Sequence, residues 1–297
     1  MKALLDPPLL AEEGFDAHEI QGAGCSQAAA SSSDETVLST FHPRFPAHRF
    51  SVLTGVYFAA SCGLHLVSQA AVDAVLPSHI MGAMDPIDAR LYFAEHVVST
   101  VHGVACGVLS AWAIGGPPGL GGSVWNADVI RPYPLYLDHV YACHAGYTLY
   151  DMVTMALHGG ESREMWLHHG IGLLGSVLIP AFRTLGLLPT VFMATELTVL
   201  PQNALWFAQR LRLSPTSHLY RILLFFRALS YLFLRAPSLA FVFKYATDRN
   251  LTPAKWARLP PYAQALFGLN ILALGSLNFS WSRQVLRTYL KSLLSSQ

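Results

Sequence analysis

Residues 165–180, MWLHHGIGLLGSVLIP, place two adjacent histidines at the start of a segment that is otherwise apolar. Imidazole is the side chain whose charge changes most readily near neutral pH. Ionisable groups are costly inside apolar segments unless neighbouring protein groups pair with them. The segment therefore predicts a helix packed within a larger helical assembly, with His168 and His169 near other polar side chains.

The composition of the whole chain indicates a polytopic membrane protein. Of its 297 residues, 53% are hydrophobic and only 12% are charged, whereas soluble domains carry about 25% charged residues. The net charge of +1 provides no general attraction to nucleic acid, so we expect no nucleic-acid partner. The four cysteines form no CxxC pair and no zinc-finger spacing, and we interpret them as small core residues.

Seven apolar runs have roughly the length that crosses a membrane, which is about 20 residues. Breaks rich in proline, glycine and charge separate them. The runs centre on residues 50–72, 92–114, 135–157, 166–182, 187–209, 219–246 and 262–281. We predict an all-α polytopic membrane protein with about seven transmembrane helices around a central polar cavity. Residues 50–290 would form this domain, residues 1–49 a disordered polar tail, and residues 291–297 a short C-terminal tail.

Polar side chains recur at a spacing of seven residues in three of these runs. Seven residues are nearly two helical turns, so the members of a pair share one face, about 10 Å apart along the axis. Lipid cannot satisfy such groups, and we therefore predict that they line a shared cavity with His168 and His169. The pairs are Glu95 with His102, His144 with Asp151 (Tyr147 lying between them), and Glu196 with Asn203.

Two other features of the apolar runs bear on the cavity. Adjacent residues on a helix point about 100° apart, so we expect one histidine to face the cavity and the other to pack against a neighbouring helix or the membrane interface. The sixth run contains Arg227 and Arg235. We expect one arginine to snorkel and the other to contact a carboxylate or a backbone carbonyl.

The polar groups admit three interpretations. A neutral imidazole oriented by a carboxylate can accept a proton or attack a carbonyl, which indicates catalysis. The same groups can also hold helices together through hydrogen bonds without any chemistry. A membrane metal oxygenase would need repeated histidine boxes; the single HH pair has no H-x2-3-HH box around it, so we expect no metal.

Four segments resemble the TLC domain, which ceramide synthases, translocation-associated membrane proteins and other TLC-domain-containing proteins share. The order and spacing of the YD, HH and TE pairs within them carry the resemblance, which extends over about residues 48 to 290. The segments are EHVVSTVHGVACGVLSAW (95–112), GYTLYDMVTMALH (146–158), MWLHHGIGLLGSV (165–177) and ATELTVLPQNALWF (194–207).

The resemblance implies a role in lipid homeostasis in an internal membrane, most often the endoplasmic reticulum. In the ceramide synthase branch, the paired histidines and the following acids join a fatty acyl group from acyl-CoA to a sphingoid amine. By that likeness, His168 or His169 would be the nucleophile or general base, and Glu196 and Asp151 would orient the imidazole. His102 and Asn203 would line the cavity. We expect membrane lipids, acyl-CoA as co-substrate and a long-chain amine as ligands, no other cofactor, and assembly into a homo- or hetero-oligomer.

One departure separates this chain from the ceramide synthase pattern. That pattern has a second aspartate three residues after the first, where this chain has Val199. The segment is thus closer to the non-ceramide-synthase branch. The alternative function is accordingly non-enzymatic: a membrane protein that binds, senses or transports lipid in the same cavity.

Overall fold

The computed structural model describes residues 47–75, 86–115, 137–159, 161–182, 187–248 and 251–294. These residues are helical nearly throughout and include no β-strand, which confirms the all-α prediction. Residues 1–46 of the expected tail lie outside the described ranges. At the other end, the last helix extends to Leu294, into the segment expected to be a C-terminal tail.

Ten α-helices and two short irregular helices make up the described chain. The α-helices are α1 (Ala47–Val75), α2 (Pro86–Gly115), α3 (Leu137–His158), α4 (Arg163–Phe182), α5 (Leu187–Ala194), α6 (Val199–Arg210), α7 (His218–Ser230), α8 (Ser238–Asp248), α9 (Pro253–Ala257) and α10 (Pro261–Leu294). A 3-10 helix, Thr195–Thr198, joins α5 to α6, and a π-helix, Tyr231–Arg235, follows α7. Single π-turns occur frequently at functional sites.

Five helical segments in the described ranges are long and apolar enough to cross a membrane. They correspond to the first, second, fourth, sixth and seventh predicted runs. They are His48–Val72, Arg90–Ile114, Arg163–Phe182, His218–Lys244 and Pro261–Leu294. The third and fifth runs are helical but do not qualify as candidate spans, so the predicted count of seven is not confirmed.

Helix α3 is not apolar enough to be a candidate span, and it lies inside the protein. Fifteen of its 22 residues are buried, and it packs against α1, α2 and α4. A helix enclosed by protein on most sides does not need an apolar surface toward lipid. It can therefore carry the polar groups that lower its hydropathy.

Glycines allow α2 to approach the 3-10 helix closely. A Cβ atom at Gly103 would lie 2.8 Å from Val199 Cβ and 2.9 Å from the Glu196 carbonyl oxygen. One turn later, a Cβ atom at Gly107 would lie 2.6 Å from Leu197 Cγ. The two glycines form a small-residue surface of the GxxxG type that membrane helices use for close packing. This contact holds Glu196 beside α2.

Candidate functional site

A cavity of about 470 Å³ lies among α2, α3, α4, α6, α7 and α10 and both irregular helices. Eight of the nine predicted site residues line it. They are Glu95, His144, Tyr147, Asp151, His168, His169, Glu196 and Asn203. The seven-residue spacing and the paired histidines therefore lead to one location in the fold.

His102 is the exception, and its predicted position needs correction. It is buried but is not among the residues that line the cavity. Its ring stacks on Tyr147, with centroids 3.8 Å apart and an interplanar angle of 7°. Tyr147 thus lies at the wall and His102 lies beyond it. His102 lies two helical turns from Glu95 on the same face of α2, and the cavity does not extend that far along the helix.

His169 is held at both ring nitrogens. Its Nδ1–H donates to the Met165 carbonyl oxygen at 3.0 Å, and its Nε2 lies 2.6 Å from Asp151 Oδ2. A carbonyl oxygen only accepts hydrogen bonds, and a carboxylate contact this short requires a proton between its two atoms. Both His169 nitrogens are therefore engaged. Asp151 can orient this ring and stabilise its charged form, but the ring has no free lone pair for nucleophilic attack.

His168 lies on the other side of the same helix end and is differently placed. Its ring makes edge contacts with His169, at a centroid distance of 5.3 Å, and with Trp281 of α10, at 5.1 Å. Its Nδ1 is buried and has no hydrogen-bond partner among the described residues. Contrary to the expectation that only one histidine faces the cavity, both line it. Of the two, His168 is the one with an available nitrogen.

Glu196 lies opposite a cation. Arg235 Nη2 is 3.6 Å from Glu196 Oε1, with both side chains buried. The guanidinium also donates from Nε to Thr198 Oγ1 at 2.6 Å and from Nη1 to Asn278 Oδ1 at 3.2 Å. These contacts join the 3-10 helix, the π-helix and α10. The expectation that one arginine of the sixth run contacts a carboxylate is confirmed, and that arginine is Arg235.

Asn203 connects α6 to α2 at the edge of the cavity. Its Nδ2 donates to the His96 carbonyl oxygen at 3.1 Å and to Thr100 Oγ1 at 2.9 Å. On the same side, the His96 ring stacks on Trp206 at 3.7 Å. The amide of Asn203 thus contributes to helix packing as well as to the wall.

Several cavity residues without a predicted site role lie in the sixth apolar run and in the last helix. These residues come from α7, the π-helix and α10, and one of them, Trp281, contacts the His168 ring. They are Arg227, Tyr231, Arg235, Trp281, Gln284, Val285 and Thr288. The signal for the two arginines was their position in an apolar run; the other residues carry no pattern that separates them from ordinary helix-packing residues.

Chemically, the site combines a proton-holding pair with a free imidazole. Asp151 and His169 supply the pair, His168 supplies a nitrogen without a partner among the described residues, and the Glu196–Arg235 ion pair supplies fixed charge. Apolar side chains, including Met155, Met165, Val199, Val285 and Trp281, share the wall. Such a cavity suits a ligand with an apolar chain and one polar reacting group.

The comparisons with known proteins give one match. The family model described as the TLC domain matches residues 92–287. No curated protein and no solved structure matches the chain significantly. The matched span starts in α2, ends in α10 and includes all nine predicted site residues.

Proposed function

The chain belongs to the TLC-domain family of membrane proteins, and on that premise we propose that it acts in lipid homeostasis as an acyl-CoA-dependent N-acyltransferase. The observation that supports the proposal is the difference in hydrogen bonding between the two histidines. His169 is fixed by Asp151 at 2.6 Å, while the neighbouring His168 keeps a buried nitrogen without a partner among the described residues. Nucleophile and oriented acid–base group thus lie side by side in one cavity.

The reaction proceeds in two steps through His168. In the first, an imidazole nitrogen forms a bond to the thioester carbonyl carbon of acyl-CoA, and the carbon–sulfur bond breaks. The sulfur takes the imidazole proton, so that CoA leaves as the free thiol. In the second, an amine nitrogen attacks the acyl-imidazole, the carbon–imidazole bond breaks, and a proton from the amine returns to the ring. His169 and Asp151 position His168 and stabilise the charge that develops beside it.

The side chains that line the cavity indicate which ligands it can bind. Burial of an acyl chain against apolar side chains such as Met155, Val199 and Trp281 contributes about 0.8 kcal/mol per methylene to the free energy of binding. The polar reacting group then lies at His168. We place this activity in the endoplasmic reticulum, with a long-chain amine of the sphingoid type as acceptor, on the strength of the resemblance to the ceramide synthase branch.

A second candidate function is lipid binding without chemistry, and two observations favour it. Val199 lines the cavity at the position where the ceramide synthase pattern has its second aspartate. Glu196, which by the resemblance stands where that pattern has its first aspartate, is paired with Arg235. A cavity with these groups is able to hold or sense a lipid while lacking one acid of the acyltransferase set.

Product formation separates the two functions. Purified full-length protein is incubated with palmitoyl-CoA and sphinganine, and the N-acyl product is measured by mass spectrometry. The acyltransferase proposal expects a product that His168→Ala abolishes and that Glu164→Gln, an exposed change on the same helix, leaves intact. Lipid that co-purifies equally with wild type and His168→Ala, without product in either, would support binding alone and overturn the acyltransferase proposal.

A further inference from the structure

At the wall of the cavity, α2 and α3 bring together two imidazoles and a thiol, and we propose that this cluster binds a divalent transition-metal ion, with Zn²⁺ as the first candidate. The cluster consists of His102, Cys106 and His144, all buried. One potential ligand atom from each residue lies within 4.8 Å of the other two. The site is separate from the histidine pair on α4 that the acyltransferase proposal uses.

The spacing of the cluster suits chelation. His102 and Cys106 are four residues apart, so they share one face of α2 in adjacent turns. His144 reaches them from α3. Tetrahedral Zn²⁺ with bonds of 2.0 to 2.3 Å holds its ligand atoms roughly 3.4–3.6 Å apart. The potential ligand atoms, within 4.8 Å of one another, exceed that range by at most about 1.4 Å, and the proposal requires rotations of the three side chains that close this difference.

Unpaired nitrogen atoms provide an independent argument for a ligand. His102 Nε2 and His144 Nδ1 are both buried without a hydrogen-bond partner in the part of the chain that the structure describes. The opposite edges of the two rings already face protein: His102 Nδ1 lies 4.0 Å from Cys143 Sγ, and a Cβ atom at Gly172 would lie 2.9 Å from His144 Nε2. A buried polar atom without a partner costs about 1–3 kcal/mol. A metal ion between the helices would satisfy both nitrogens at once.

The donor set indicates which ions fit. Two neutral imidazoles and one thiolate suit zinc or copper and do not suit magnesium or calcium, which prefer oxygen ligands. Binding replaces the thiol proton of Cys106, which is released to solvent, and the Zn²⁺–thiolate complex keeps a net charge of +1.

We expected no metal because the sequence contains neither a CxxC pair nor a histidine box. The sequence signal for this cluster is the HxxxC spacing of His102 and Cys106, together with a histidine on the next helix. A metal ion here would cross-link α2 to α3. It would also fix the ring of Tyr147, which stacks on His102 at 3.8 Å, and thereby stabilise the cavity wall.

The test uses full-length protein purified in detergent. Metal content is measured by mass spectrometry, and the chelator-treated protein is titrated with Co²⁺, whose thiolate complexes absorb in the near ultraviolet. We expect about one metal ion per chain and a cobalt–thiolate band at one equivalent. Cys106→Ser should remove the band and lower metal content at least tenfold, and His144→Gln should weaken binding at least tenfold.

Matched cysteine variants make the result specific. Cys143→Ser changes the thiol that lies beside His102 but outside the cluster, and Cys62→Ser changes a half-buried thiol of α1; both should retain the metal and the cobalt band. Two results would overturn the proposal: wild-type protein that gives no cobalt–thiolate band, or a Cys106→Ser variant that keeps it. The titration of wild-type protein can contradict the proposal by itself, so the test remains decisive even if a variant folds poorly.

Discussion

His169 Nε2 lies 2.6 Å from Asp151 Oδ2, and this contact joins the end of α4 to the buried helix α3. The two residues are 18 positions apart and both are almost fully buried. A buried ion pair is retained only where its geometry offsets the loss of hydration. The contact therefore fixes one histidine of the pair, while the other, His168, keeps a buried nitrogen without a partner among the described residues.

Removal of the Asp151 carboxylate should destabilise the fold. Asp151→Ala leaves the His169 proton without its acceptor in a buried position, and we expect a loss of about 3–5 kcal/mol in the free energy of unfolding. Asp151→Asn should cost less, because its amide oxygen still accepts a hydrogen bond. Equilibrium unfolding in detergent measures both, with Glu164→Gln as an exposed control. Wild-type stability in Asp151→Ala would show that the pair contributes nothing.

Glu196 and Arg235 should be energetically coupled. Arg235→Met leaves a buried carboxylate without its cation, and Glu196→Gln leaves a buried guanidinium without its anion. The double variant removes both charges, so we expect it to be more stable than the sum of the single losses predicts, by about 0.5–3 kcal/mol. A double-mutant cycle in equilibrium unfolding gives this coupling directly. Strict additivity would mean that the 3.6 Å contact is not an energetic pair.

Substitution of Asn203 should separate a packing role from a polar one. Asn203→Ala loses two hydrogen bonds that join α6 to α2, and we expect about 1–3 kcal/mol of destabilisation. Asn203→Asp should cost more, since a carboxylate would face the His96 carbonyl oxygen that now accepts from Nδ2. Gln209→Ala, which removes an exposed amide from the same helix, is the control. Thermal unfolding should show that Asn203→Ala is more stable than Asn203→Asp.

Gly103 should tolerate no side chain, although alanine is normally the better helix former. Gly103→Ala places a Cβ atom 2.8 Å from Val199 Cβ and 2.9 Å from a backbone oxygen, so it should destabilise the protein. Gly63→Ala on α1 meets nothing within 4 Å and should be neutral or stabilising by up to about 1 kcal/mol. Thermal unfolding compares the pair. Equal effects of the two substitutions would argue against close packing of α2 on the 3-10 helix.

Sequence patterns predicted most of the helices and eight of the residues that line the cavity. Apolar runs locate the helices because lipid and core both select for apolar surface, but they do not distinguish lipid from protein as the neighbour. Helix α3 shows the limit: its polar residues are tolerated because other helices surround it. The number of spans therefore cannot be counted from hydropathy alone.

Side-chain partners across helices were the part that periodicity could not predict. The spacing of Glu95 and His102 places both on one face of α2, but it does not show where the cavity ends along that face. The position of Arg235 in an apolar run indicated a buried partner without identifying Glu196. Both answers depend on how distant helices pack, and helix periodicity has no information about that.

The most direct test of the account is to locate the acyl group on the protein when no amine acceptor is present. Full-length protein is incubated with palmitoyl-CoA, and the acyl adduct is mapped by peptide mass spectrometry in wild type, His168→Ala and His169→Gln. If His168 is the nucleophile, we expect an adduct on His168 that disappears in His168→Ala and forms more slowly in His169→Gln. An adduct on His169, or one that persists in His168→Ala, would contradict the assignment of His168 as the nucleophile.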